Sequence, residues 1–95
     1  TGELYPCHQF VGQEEFVLGT VWTGVKNQEL PNTFKDSHVL NKPACSVCWA
    51  KYYCSGGCHK NNLEYAGNLL RPHELSCLME KKRLECAFYI QASLA

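Results

Sequence analysis

The sequence predicts a small α+β domain made of a β-hairpin, cysteine-rich loops and a long C-terminal helix. Three observations carry that expectation. β-prone runs punctuated by glycine fill residues 1–24, four cysteines crowd into residues 45–58, and good helix formers run from Arg71 to Leu94.

Residues 1–24 contain Leu4-Tyr5, Phe16-Val17-Leu18 and Thr20-Val21-Trp22, separated by Gly2, Gly12, Gly19 and Gly24. β-branched and aromatic residues between glycines read as a hairpin or small meander, with Cys7 just past the first strand. Residues 30–41 read as a short helix. Pro31 and Asn32 offer its start, Leu30, Phe34 and His38 share a face, and Asn41-Lys42-Pro43 stops it. Residues 45–70, with the cysteine run, read as loop. Residues 72–94 read as a helix of about six turns. Pro72 and Glu74 suit its first turn, and Leu75, Leu78, Met79, Cys86 and Ile90 form an approximate apolar stripe.

A chain of 95 residues is expected to make one domain, 1–95, with a core thin enough for metal ligation to supply much of its folding free energy. A metal-free form is expected to be poorly ordered. Nine basic residues balance nine acidic ones, and the one cationic run, Lys81-Lys82-Arg83, lies between Glu80 and Glu85. That balance offers no electrostatic footprint for nucleic acid or an anionic membrane. No apolar run approaches the roughly 20 residues of a membrane span. Seven cysteines leave one over from any closed disulfide set, and no signal peptide precedes them, so a reducing cytoplasm is the expected compartment. The start at Thr1 and the single methionine, Met79, point to a fragment or processed product.

The chemistry concentrates in CSVCWAKYYCSGGC, where Cys45, Cys48, Cys54 and Cys58 are spaced C-x2-C-x5-C-x3-C. Neighbouring cysteines in tight turns rarely reach disulfide geometry, whereas thiolates fanning inward suit an iron–sulfur or zinc centre. The glycine pair between Cys54 and Cys58 permits positive φ and close approach, so that amide N–H groups can face thiolate or sulfide sulfur. Trp49, Tyr52 and Tyr53 either shield such a centre from water or pack in a small core. Zinc is the alternative metal. It commonly takes two separated C-x2-C pairs, and here there is one. His59 is a formal nitrogen donor, although an exposed loop position is expected for it; His8, His38 and His73 have no partner at ligand spacing.

Two further cysteines lie on the long helix. Cys77 and Cys86 are nine residues apart, on roughly opposite faces and about 13 Å apart along the axis, too far to share one centre easily. Cys77 lies near the helix N-terminus, where the dipole favours a thiolate ligand. Cys86 is expected to be a buried, inert thiol.

Gly2-x4-Cys7, the C-x2-C-x5-C-x3-C run and the final Cys77 together resemble the SPASM domain, the C-terminal cluster-binding extension of radical S-adenosylmethionine peptide-maturing enzymes. LYPCHQFVG and CSGGCHKNN resemble most the SCIFF-type maturases, which build thioether bridges in cysteine-rich peptides. The resemblance implies that Cys45, Cys48, Cys54 and Cys77 bind one [4Fe–4S] cluster, and that Cys58 crosses to a second cluster with Cys7. The parent oxidoreductase, by the same resemblance, cleaves S-adenosylmethionine reductively, abstracts hydrogen from a peptide carbon and joins that carbon to a substrate cysteine. The auxiliary clusters serve electron transfer or bind the substrate thiol, and the implied partners are the radical S-adenosylmethionine core of the parent chain and a cysteine-rich substrate peptide.

Two departures qualify these expectations. The family motif opens with a cysteine before the glycine of G-x4-C, and Gly2 has only Thr1 before it, so the Cys7/Cys58 cluster is expected to be lost, replaced by another metal or completed by a second chain. The radical core needs C-x3-C-x2-C. Cys54 and Cys58 begin that spacing, but Asn61 stands where the third cysteine belongs, so this chain alone is expected to be inactive. No nucleophilic triad, phosphate-cradling loop or carboxylate pair supplies another activity. A structural zinc module for protein interaction is the second reading, and a disulfide-linked secreted domain the third.

Overall fold

A computed structural model describes all residues, Thr1–Ala95, and has a small α+β fold. The chain divides into two compact units, Thr1–Ser37 and His38–Ala95, where the length led us to expect one. The expected helix over 30–41 straddles that division and is cut by it. Helix α1 runs Glu29–Asp36, and a separate 3₁₀ turn covers Val39–Asn41, leaving His38 outside both. Asn27 Oδ1 accepts from Leu30 N at 3.0 Å and so opens α1, while the Ser37 hydroxyl donates to Thr33 O at 2.7 Å and helps close it.

The first unit carries a three-stranded antiparallel sheet in the order β1 (Glu3–Leu4), β2 (Gly19–Thr20), β3 (Gly24–Val25). Glu3 pairs with Thr20, and Thr20 pairs with Gly24. This is a meander with strands displaced from the expected runs. Phe16 is drawn out of strand into a 3₁₀ turn, Glu14–Phe16, because its ring joins an aromatic cluster. Trp22 sits exposed in the β2–β3 turn, where the backbone N–H of Thr20 and that of Thr23 each donate to the other residue's hydroxyl. Gly19 is obligatory for steric reasons. A Cβ there would collide with the Gly24 carbonyl oxygen across the strand pair.

The core of this unit is Phe10, fully buried, with its ring 4.3 Å from that of Phe16 and 5.5 Å, edge on, from that of Phe34 on α1.

The second unit is helical. The cysteine segment, expected as loop, forms α2 (Pro43–Ser46), α3 (Lys51–Cys54) and α4 (His59–Ala66). Pro43 has its fixed φ and missing N–H at the start of α2, where neither is a penalty, and Gly67 closes α4 in the left-handed conformation at φ 75°. Helix α5 runs Glu74–Leu94, two residues later than expected at its start, and no residue in it is buried. Leu75, Leu78, Met79, Cys86 and Ile90 are all exposed, so the anticipated stripe covers no core. No helix is long and apolar enough to cross a membrane.

Phe10→Ala removes the one large apolar side chain that is fully buried, at an expected cost of about 3–5 kcal/mol. A urea titration followed by fluorescence and circular dichroism should show the midpoint fall accordingly.

Candidate metal centre

Five of the seven cysteines line one cavity of about 470 Å³ in the second unit: Cys45, Cys48, Cys54, Cys58 and Cys77. Each comes from a different local structure. Cys45 lies within α2, Cys48 in the turn after it, Cys54 ends α3, Cys58 precedes α4 with extended backbone, and Cys77 lies in the first turn of α5. Cys45 is buried, Cys48, Cys54 and Cys77 are half-buried, and Cys58 is exposed. The backbone turns sharply between the third and fourth cysteines. Ser55, Gly56 and Gly57 all have positive φ, at 62°, 92° and 82°. Two consecutive glycines make that tolerable.

Behind this turn stands a polar knot. Lys42 is fully buried and donates from Nζ to Gly56 O at 3.0 Å, while Asn62 Nδ2 donates to the same oxygen at 2.9 Å. Asn62 Oδ1 then accepts from His73 N at 3.0 Å, just ahead of α5. Gly56 leaves no room for a side chain, since a Cβ would lie 2.9 Å from Lys42 Nζ. His73 is held further by its ring, with Nδ1 2.9 Å from the Ser76 hydroxyl and a stack on Tyr65.

The thiols act on one another. Burial pushes the Cys45 thiol up, and Cys77, Cys54 and Cys48 push it further, against the opposing charge of Lys42. Burial likewise raises Cys77, helped by Cys54 and Cys48 and opposed by Lys81. Loss of hydration and the neighbouring cysteines thus act on the Cys77 thiol in the direction opposite to the one a helix N-terminus favours. Burial also pulls the Lys42 ammonium below the ordinary lysine range, while Cys45 and Cys54 hold it up.

Several other expectations change. An amide-to-sulfur contact does occur, Ala50 N to Cys48 Sγ at 3.4 Å, but it is made by Ala50 rather than by the glycine pair. Trp49, Tyr52 and Tyr53 neither line the cavity nor fill a core. All three are exposed, and Trp49 and Tyr53 pack against Phe88 of α5 instead. His59 is half-buried as the first residue of α4, not exposed on a loop, and burial with Lys42 nearby lowers its pKa. Cys86 is exposed rather than buried, because the second half of α5 has no neighbour over that face. Cys7 belongs to the first unit, where it caps a 3₁₀ turn, its sulfur accepting from Gln9 N at 3.5 Å and lying 3.8 Å from His8 Nδ1.

The donors fit a thiolate-bound centre in number, softness and partial burial, with an N–H at one sulfur and a buried cation behind the wall. The five cysteines line the same cavity. No three His, Cys, Asp or Glu side chains are drawn together tightly enough to hold a single metal ion. Lys42 and Asn62 were not singled out from the sequence. A lysine reads by default as solvated, and Asn62 signals only that a weak helix former stands inside a helix. No protein-family model and no curated protein matches this chain.

Two outcomes follow from this geometry. Gly56→Ala forces a side chain into a positive-φ position against a buried lysine and should cost about 1–3 kcal/mol, measured as a lowered denaturant midpoint. In the metal-free reduced chain, a timed iodoacetamide reaction read by mass spectrometry should label Cys58 and Cys86 first and the buried Cys45 last.

Proposed function

We propose that residues 38–95 form an auxiliary [4Fe–4S] unit of a radical S-adenosylmethionine enzyme that installs thioether crosslinks in a cysteine-rich peptide. The observation that carries this reading is the gathering of Cys45, Cys48, Cys54 and Cys77 around one cavity, the same four residues that the motif resemblance assigns to one cluster. When bound there, such a group supplies one-electron transfer and, where an iron is open, a site that deprotonates a substrate thiol.

The chain's own residues do the rest. Four thiols on separate turns provide the ligands, and the Gly56 knot holds those turns in register. The Ala50 N–H relieves charge at Cys48 Sγ, and burial of Cys45 limits water on its side of the cavity. Cys58 remains as a fifth thiol at the same cavity, exposed and not needed by the four. Catalysis belongs in this reading to a radical core in the parent chain, with S-adenosylmethionine bound there. Exposure of Phe88, Tyr89 and Ile90 on α5 supports a partner surface for that core.

Anaerobic reconstitution with iron and sulfide, followed by metal and sulfide analysis, tests the proposal. Wild type and Cys86→Ser should each hold about four irons and four sulfides, with broad visible absorption. Cys45→Ser and Cys77→Ser should lose more than half of both. A colourless chain with one tightly held zinc, refractory to iron and sulfide, would sink this reading in favour of a structural zinc module.

A further inference from the structure

The largest fully buried side chains of the protein are Phe10, Lys42 and Asn62. Phe10 and Asn62 are accounted for by packing and hydrogen bonding. Lys42 is not. Its ammonium donates to a neutral acceptor, the Gly56 carbonyl, and none of the ion pairs of the protein involves it. An ammonium removed from water without a counter-charge is strongly unfavourable, and such positions usually carry a carboxylate or a bound anion. The acidic groups that couple to it are the thiols of Cys45 and Cys54, two of the cavity-lining cysteines, and they bear charge only as thiolates. Lys42 does not itself line the cavity; the glycine wall separates them. It can act on an occupant through its field but cannot ligate it.

We propose that Lys42 is a fixed counter-cation for an anionic, thiolate-ligated occupant of the cavity, and that its charge raises the reduction potential of that centre. The inference rests on the four-cysteine reading above. Each one-electron reduction adds one negative charge to the centre, the electron coming in the test from dithionite, so a neighbouring positive charge stabilises the reduced form over the oxidised one. Lys51, Lys81 and Arg83 do line the cavity but are half-buried or exposed, where water and salt screen them. Lys42 is the cation that solvent cannot replace. It is a positioning and tuning residue, not a catalytic one.

The experiment compares reconstituted wild type, Lys42→Gln, Lys42→Arg and Asn62→Ala by iron and sulfide content and by dithionite potentiometry followed by electron paramagnetic resonance. Gln keeps a donor for the Gly56 carbonyl without the charge, Arg keeps the charge, and Asn62→Ala removes the other donor while leaving the charge in place. Lys42→Gln should retain iron and sulfide and lower the potential by at least a tenfold change in the one-electron equilibrium, about 59 mV. Lys42→Arg should stay near wild type in both, whereas Asn62→Ala, which also frees the His73 N–H, should lose part of its iron and sulfide while the centre that does load keeps the wild-type potential. An unchanged potential in a fully loaded Lys42→Gln protein would overturn the inference while leaving the four-cysteine centre intact. An equal shift in Asn62→Ala would overturn it too, because the effect would then come from the loop rather than the charge. Should Lys42→Gln fail to load, loading of Lys42→Arg at wild-type potential supports the charge requirement, and failure of both assigns Lys42 to packing and overturns it. A wild type that takes up neither iron nor sulfide removes the centre and the inference together.

Discussion

One carbonyl oxygen organises the second unit. Gly56 O receives the Lys42 ammonium and the Asn62 amide, and Asn62 passes the constraint on to the backbone N–H of His73. Lys42 stands just before α2 and Cys45, Gly56 between Cys54 and Cys58, Asn62 on α4 after Cys58, and His73 just before α5 and Cys77. Segments that bring four of the five cavity-lining cysteines are therefore tied to one point by three buried or half-buried hydrogen bonds. The gathering of these cysteines is a consequence of that tie, since α2, α3 and α4 are too short to hold a geometry by helix formation alone.

The energetics of the unit follow from how little apolar surface it hides. Its buried apolar residues are Cys45 and Ala50, and its largest buried side chains are a lysine and an asparagine. Hydrogen bonds to charged groups contribute about 1.5–3 kcal/mol and neutral ones about 1 kcal/mol, which offsets the burial of polar groups more than it drives folding. A unit so constituted needs a further source of stability. In the proposed reading, ligation at the cavity supplies it, because thiols give up their protons on binding a metal or cluster and that binding free energy becomes folding free energy. The first unit is built the ordinary way, on a cluster of three phenylalanines, and stands outside this dependence.

The chemically specific part of the site was legible in the primary structure and the mechanical part was not. Cysteine spacing and the glycine pair are local properties, and the structure gathers those cysteines at one cavity with positive φ at both glycines. The helical character of α2, α3 and α4 was hidden, since helices of four, four and eight residues carry little periodicity to detect. Lys42 was hidden for a different reason. Nothing in the run Asn41-Lys42-Pro43 distinguishes a buried ammonium from a solvated one, because burial of a lysine depends on acceptors brought from 14 residues away. Trp49 and Tyr53 misled in the same way. Their position between Cys48 and Cys54 implied proximity to the cavity, but short helices turn them outward onto Phe88.

What the sequence alone determined is the inventory and its local grammar: cysteines at C-x2-C-x5-C-x3-C, glycines where φ must be positive, a proline opening α2, and one long run of helix formers. These are properties of a residue and its near neighbours along the chain. The tertiary structure alone decided which cysteines share a space, that Cys86 does not, and that a lysine and an asparagine meet on the Gly56 carbonyl. Those outcomes depend on contacts between segments distant in sequence, and the desolvation that perturbs Cys45, Cys77 and Lys42 exists only once those segments have come together.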